Sequence, residues 1–131
     1  MQILLRMMTP SDERFVAASW HSSFWKNSAN RSMGWDVYSK GQDLRVQRLL
    51  LKHSAHIAYL EEVPDEILGW CCHDYNTAVH YVYVKGTYRK QGIGKGLVPS
   101  AMKYYTHATD TVGGRFMKKL GLEFNPYAME S

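Results

Sequence analysis

Val82-Tyr83-Val84-Lys85-Gly86-Thr87-Tyr88-Arg89-Lys90-Gln91-Gly92-Ile93-Gly94-Lys95-Gly96-Leu97 carries the reading of this chain. An apolar, β-branched run enters a loop with alternating glycines at 92, 94 and 96 and four basic residues, Lys85, Arg89, Lys90 and Lys95. A helix signal opens where the loop ends. Glycines let a backbone approach a ligand closely and adopt positive φ. The first turn of a helix offers N–H groups without partners and favours an anion. Phosphate or pyrophosphate is the natural ligand of such a segment. A P-loop requires G-x-x-x-x-G-K-[ST], and Lys95 is followed by Gly96, so that motif fails. A dinucleotide fingerprint requires G-x-G-x-x-G early in a βαβ unit; here the spacing is G-x-G-x-G, late in the chain.

Working outward, Thr77–Val84 reads as the strand that feeds the loop. Ile67–His73 precedes it across the turn Asp74-Tyr75-Asn76, and His56–Glu62 pairs with Ile67–His73 across Val63-Pro64-Asp65-Glu66. Gln2–Met8 reads as a first strand. Thr9-Pro10-Ser11-Asp12 is a helix start, and Phe15, Ala18, Ser22 and Trp25 carry a helix over about Pro10–Trp25. Lys26–Asp36 reads as a loop. Gln42–His53 reads as a second helix, with Val46, Leu49, Leu50 and His53 inward; Arg45, Arg48 and Lys52 form a basic stripe that reads as a solvated face. Beyond the glycines, Gly94–His107 reads as a third helix, with Pro99 awkward inside it. Asp110 caps a last helix over Val112–Leu120, Gly121 ends it, and Leu122–Met129 reads as a final strand. The order describes a mixed α/β domain (an α+β mixed sheet) with an antiparallel run in its middle.

Composition bounds the rest. The 131 residues suit one domain, 1–131, without repeat or linker. The chain is 45% hydrophobic and 21% charged, which excludes disorder, and it has no apolar run long enough to span a membrane. Its cysteines, Cys71 and Cys72, are neighbours that point to opposite faces of one strand, which excludes a disulfide between them. A reducing, cytoplasmic setting is expected. Sixteen Lys+Arg against 12 Asp+Glu give a net charge of +4, which suits an anionic ligand or nucleic acid.

Arg89-Lys90-Gln91-Gly92-Ile93-Gly94 matches the acyl-CoA loop R/Q-x-x-G-x-G/A, and with it the chain resembles the GNAT superfamily of N-acyltransferases. Arg6–Asp12 resembles the family's first strand and helix start, and Ile67-Leu68-Gly69-Trp70 the hydrophobic-hydrophobic-Gly of its third strand. Phe116-Met117-Lys118-Lys119-Leu120-Gly121-Leu122 is similar to its "F-Y-x-K-x-G-F". The resemblance implies a GNAT-like acyl-CoA N-acyltransferase fold that uses acetyl-CoA as cosubstrate. Backbone groups of Val82, Tyr83 and Val84 would bond pantetheine. The loop of Arg89, Lys90, Gln91, Gly92, Ile93, Gly94, Lys95 and Gly96 would cradle the pyrophosphate. Asp110 stands where the family often has Asn, and Phe116 belongs to the cofactor side.

The implied reaction is direct attack of a primary amine on the thioester. It needs a base or a water chain, an oxyanion donor near Val84, and an acid for the thiolate. The acid is usually a tyrosine of the last helix, where this chain has Met117. Tyr83, Tyr105 and Tyr127 are available by type, and water can serve instead. His80 is the leading candidate base, with His73 second. Cys71 and Cys72 read as buried packing residues rather than nucleophiles. The six histidines show no metal-ligand spacing with the cysteines, so no metal is expected. Trp20, His21, Phe24, Trp25 and Trp35 read either as the wall of an acceptor pocket or as core. Acyl-CoA and a small or peptide amine are the expected partners of a monomer or homodimer without membrane contact. The alternatives are a nucleic-acid-directed member of the same fold and a catalytically silent acyl-CoA-binding module.

Overall fold

The computed structural model describes residues 2–89, 91–109 and 112–130. The sequence-derived ligands Lys90 and Asp110 lie outside the described residues. One six-stranded sheet runs in chain order: β1 (Ile3–Met7), β2 (His56–Leu60), β3 (Val63–His73), β4 (Ala78–Val84), β5 (Tyr104–Tyr105) and β6 (Glu123–Phe124). The first four strands are antiparallel, and β4–β5 and β5–β6 are parallel. Helices α1 (Glu13–Lys26) and α2 (Trp35–His53) lie on one face, and α3 (Ile93–Leu97) and α4 (Val112–Lys119) on the other. This is the mixed α/β domain expected from the sequence.

The faces follow from alternation along the strands. Cys72, Trp70 and Tyr81 meet Val16, Trp20, Val46 and Leu49 on the α1/α2 side. Cys71, Leu68 and Val79 meet Ile93, Leu97 and Met117 on the other. The two cysteines are thus buried, free and on opposite faces, and burial pushes both thiols up. A 3₁₀ turn, Pro10–Asp12, leads into α1; the Asp12 carboxylate accepts the Thr9 N–H at 2.8 Å and pairs with the Arg6 guanidinium.

Several boundaries differ from the sequence reading. α2 starts at Trp35 rather than Gln42, because Gly34 caps it and Tyr38 is buried in its first turns with its hydroxyl on His21 O. The β2–β3 turn is Glu61-Glu62: Leu60 pairs with Val63, so Pro64 sits inside an exposed stretch of strand. α3 stops at Leu97 rather than His107. Val98, before Pro99, is extended (φ −91°, ψ 121°), the conformation a following proline imposes. Freed from the helix, Tyr104 and Tyr105 pair with β4 instead. At the other end of the chain, β6 covers only Glu123–Phe124 and is followed by a 3₁₀ turn over Pro126–Glu130, not by a strand reaching Met129. Gly121 does end α4 as expected. It has φ +80°, its N–H bonds Lys118 O, and Leu122 N–H bonds Met117 O, which together form a Schellman motif.

Candidate active site

The site is built where β4 and β5 part. The two strands pair only at Ala78–Tyr104 and Val79–Tyr105, and Thr106 N–H adds a last bond to Val79 O at 3.1 Å. Beyond it β4 continues alone to Val84. Opposite, Cys72 pairs with Tyr81 and His73 with Val79, so His80 is an extra residue in β4, a bulge at the branch point. At the far end, Lys85 N–H bonds Leu68 O of β3. Residues two apart in an antiparallel strand address the same neighbour, so Val82 and Val84 turn their backbone groups to the open side. Val84 O there receives the Arg89 Nε–H at 3.1 Å. Gly69 allows this register: a Cβ at that position would lie 2.5 Å from Tyr83 O.

The opening is a cleft of about 270 Å³. Its walls are β4 from Val79 to Val84, Ser23 and Asn27 of α1, Arg89, Tyr105, His107 and Met117. The glycine loop meets one of these walls, with Gly94 against Val84. Gly92 has φ +78°, in the region where glycine is at ease. Ile93 and Leu97 are buried beneath the loop and hold it to the sheet. Gly94 faces Val84 and Phe116, while the Cβ directions of Gly92 and Gly96 meet no atom within 4 Å. Gln91, Lys95 and Gly96 are exposed. The loop therefore presents bare backbone to open space beside an unpaired strand edge.

The sequence profile of the Acetyltransferase (GNAT) family matches residues 17–119. The chain belongs to the GNAT acetyltransferase family. Solved structures agree in fold. A candidate acetyl transferase from Pyrococcus furiosus superposes with a TM-score of 0.63 at 15% identity, covering 95% of each chain. The apo-form of YjaB from Escherichia coli gives 0.54 at 18% identity, covering 74% of this chain and 62% of YjaB. A GCN5-related N-acetyltransferase from Rhodopseudomonas palustris gives 0.54 at 19%, covering 74% and 61%. The chain thus spans less than two thirds of the length of the last two. A comparison with curated proteins gives no match.

A GNAT enzyme needs a place for acyl-CoA, and the residues here fit one. The open edge of Val82 and Val84 offers amide and carbonyl groups to an extended amide chain. The bare loop at Gly92–Gly96, with Lys95 exposed on it, offers donors and charge to a diphosphate. Among the described residues there is no His/Cys/Asp/Glu group suited to a metal. No described helix is long and apolar enough to cross a membrane.

The catalytic candidates separate on inspection. His80, Tyr83 and Tyr105 all line the cleft. Tyr127 is 80% exposed and is not among the cleft-lining residues, and His73 stacks on His56 away from it. His80 is tied into a buried chain whose polarity can be traced as far as Thr106. Arg45 can only donate, so the Gln42 atom it meets at 3.2 Å is Oε1, and Gln42 Nε2 donates to His107 Nε2. His107 then carries its proton on Nδ1 and gives it to Thr106 Oγ1 at 3.0 Å. Thr106 Oγ1 also lies 3.1 Å from His80 Nδ1 and 3.5 Å from His80 O, so its one proton has two acceptors and either His80 tautomer completes the chain. His80 Nε2 is buried without a partner among the described residues. Burial, with His53 stacked on it, pulls the His80 pKa to about 4. An imidazole with a pKa near 4 is a weak base at neutral pH.

Of the aromatic cluster, Trp20 and Phe24 are core, buried against Trp70 and Tyr81; Trp25 packs edge-on to the exposed Trp35 of α2, and His21 lines the groove between α1 and α2. What α1 gives the cleft is polar: Ser23, whose Oγ lies 2.6 Å from the Tyr81 hydroxyl, and Asn27. Sequence reading missed these residues. The available signal was the polar row Ser19, Ser22, Ser23, Lys26, Asn27 at helical spacing, beside the apolar one.

Proposed function

We propose that this chain transfers an acetyl group from acetyl-CoA to a primary amine by direct attack, in a cytoplasmic setting suited to its unpaired cysteines. The observation that carries the reading is the glycine loop lying against Val84 at the open edge of β4. In this reading Val82 bonds the pantetheine amides through its backbone, with Tyr83 next to it, and Val84, whose carbonyl is held by Arg89, keeps its N–H for the thioester end. Loop amides from Gln91 to Gly96 hold the diphosphate, with Lys90 and Lys95 supplying charge, while Arg89 lines the cleft on the α1 side. Phe116 packs beside Gly94, and Asp110 precedes the last helix by two residues in the sequence.

The Val84 N–H, on the open edge, is the donor for the developing oxyanion. Met117 replaces the usual acid, so the thiolate is protonated by Tyr105, which shares the cleft wall with Met117, or by Tyr83. Solvent takes the amine proton, because the buried His80, with its pKa near 4, is a weak base. Thiol release from acetyl-CoA over an amine panel tests this. Tyr105→Phe is expected to lower kcat by about 100-fold with KM for acetyl-CoA unchanged, the scale of a lost general acid. Met117 also favours a second reading, a silent acyl-CoA-binding module; binding without thiol release on any amine would select it.

A further inference from the structure

The cleft does not end at Arg89. Arg89, Tyr83, Ser23 and Asn27 also line an adjoining cavity of about 220 Å³, closed by Ser22 and Lys26 of α1. Among the described residues no aspartate or glutamate lines either space. The chain is not short of them. The groove between α1 and α2 has Glu13 and Asp43, and the one beside β3 has Asp12, Asp65 and Glu66. The charge that does reach this cavity is cationic, from Lys26 and Arg89. Neither side chain takes part in an ion pair among the described residues. Arg89 uses Nε on Val84 O and keeps its terminal nitrogens for another acceptor. Ser19, next along α1, is already spent on Phe15 O and on the Trp70 indole.

A protonated amine without an anion of its own meets only repulsion here, and a polyamine meets more. We propose that the acceptor bears an anionic group, carboxylate or phosphate, next to its reacting amine, and that Lys26 with Arg89 holds that group at the α1 end of the cleft. The inference rests on the acetyl transfer proposed above and names its substrate class. The same two cations disfavour the charged form of a nearby amine. They help supply the neutral nucleophile that His80 cannot generate.

The test uses matched pairs: an α-amino acid against its decarboxylated amine, and phosphoethanolamine against ethanolamine, with spermidine as a polycation. Acetyl-CoA binding is measured first by calorimetry, and its absence counts against the proposed function. Each pair is then titrated into the CoA-loaded protein and assayed for acetylation. The anionic member of at least one pair is expected to bind about tenfold tighter or more, the scale of one charge-assisted hydrogen bond. The pair that responds tells carboxylate from phosphate. Lys26→Gln is expected to erase the preference without changing acetyl-CoA affinity, and to raise the acidic limb of the kcat/KM pH profile; Lys26→Arg is expected to keep the preference. Equal affinities within both pairs, a preference for spermidine, no binding by any member, or a preference that survives Lys26→Gln would overturn the proposal.

Discussion

At the scale of single residues, two glycines do unrelated work that one symbol in the sequence conceals. Gly69 is required by packing between strands, since a Cβ there would lie 2.5 Å from Tyr83 O. Gly69→Ala must push β3 from β4 next to the open edge. We expect a loss of about 1–3 kcal/mol, as for other overpacked sites, readable as a lowered Tm and a weakened acetyl-CoA affinity together. Gly92 is required by its φ of +78° and by the open space before it. A side chain there costs backbone strain and also enters the proposed diphosphate site. Met117 is the residue whose meaning changed most. Its type removes the usual acid, and its position on the cleft wall turns attention to Tyr105 beside it.

Elements were legible in proportion to how local their causes are. The strand–loop–helix order around the glycines, the Thr9–Asp12 start of α1 and the Gly121 end of α4 all follow from residues close in sequence, and all are present. The third helix misled because its apolar spacing runs through Pro99, while the pairing of Tyr104 and Tyr105 with β4 is a tertiary contact that no local pattern announces. The backbone geometry of the glycine loop was legible for the same local reason. The chain from Gln42 through His107 and Thr106 to His80 was not, because it joins α2, β5 and β4. That chain fastens the point where β4 and β5 separate. Thr106→Val removes its central hydroxyl and leaves His80 and His107 each short of a partner. A loss of about 1–3 kcal/mol in urea unfolding is expected, with a raised KM for acetyl-CoA as the cleft loosens. An unchanged unfolding midpoint would show that the chain holds nothing.

For the whole molecule, charge and acid response follow from where the histidines sit. His53, His56, His73, His80 and His107 all have pKa values lowered, chiefly by burial, with His73 and His80 near 4. The unfolded chain takes up protons as pH falls below the ordinary 6.5, and the folded chain resists until about 4. Stability is therefore full above about pH 6.5 and falls through that window, by up to about 1.4 kcal/mol per pH unit for each strongly shifted histidine. Asp12 adds a later loss. Its hydrogen bond to Arg6 holds its pKa near 2, so its contribution, complete above 3.8, fades as pH drops through that value toward 2. Urea titrations at neutral and mildly acidic pH check this, and flat stability between pH 7 and 5 would contradict it.

The excess of basic residues also has a place at this scale. Four of them flank the glycine loop in sequence, and Arg45, Arg48 and Lys52 lie exposed along α2. The central claim, that the glycine loop against the open β4 edge holds acyl-CoA, is tested most directly by calorimetric titration of acetyl-CoA into the protein and into Gly92→Glu. The account predicts saturable one-to-one binding that is lost in the variant while its circular dichroism spectrum is kept. Absence of binding to the parent chain, or equal affinity in a folded Gly92→Glu, would contradict it.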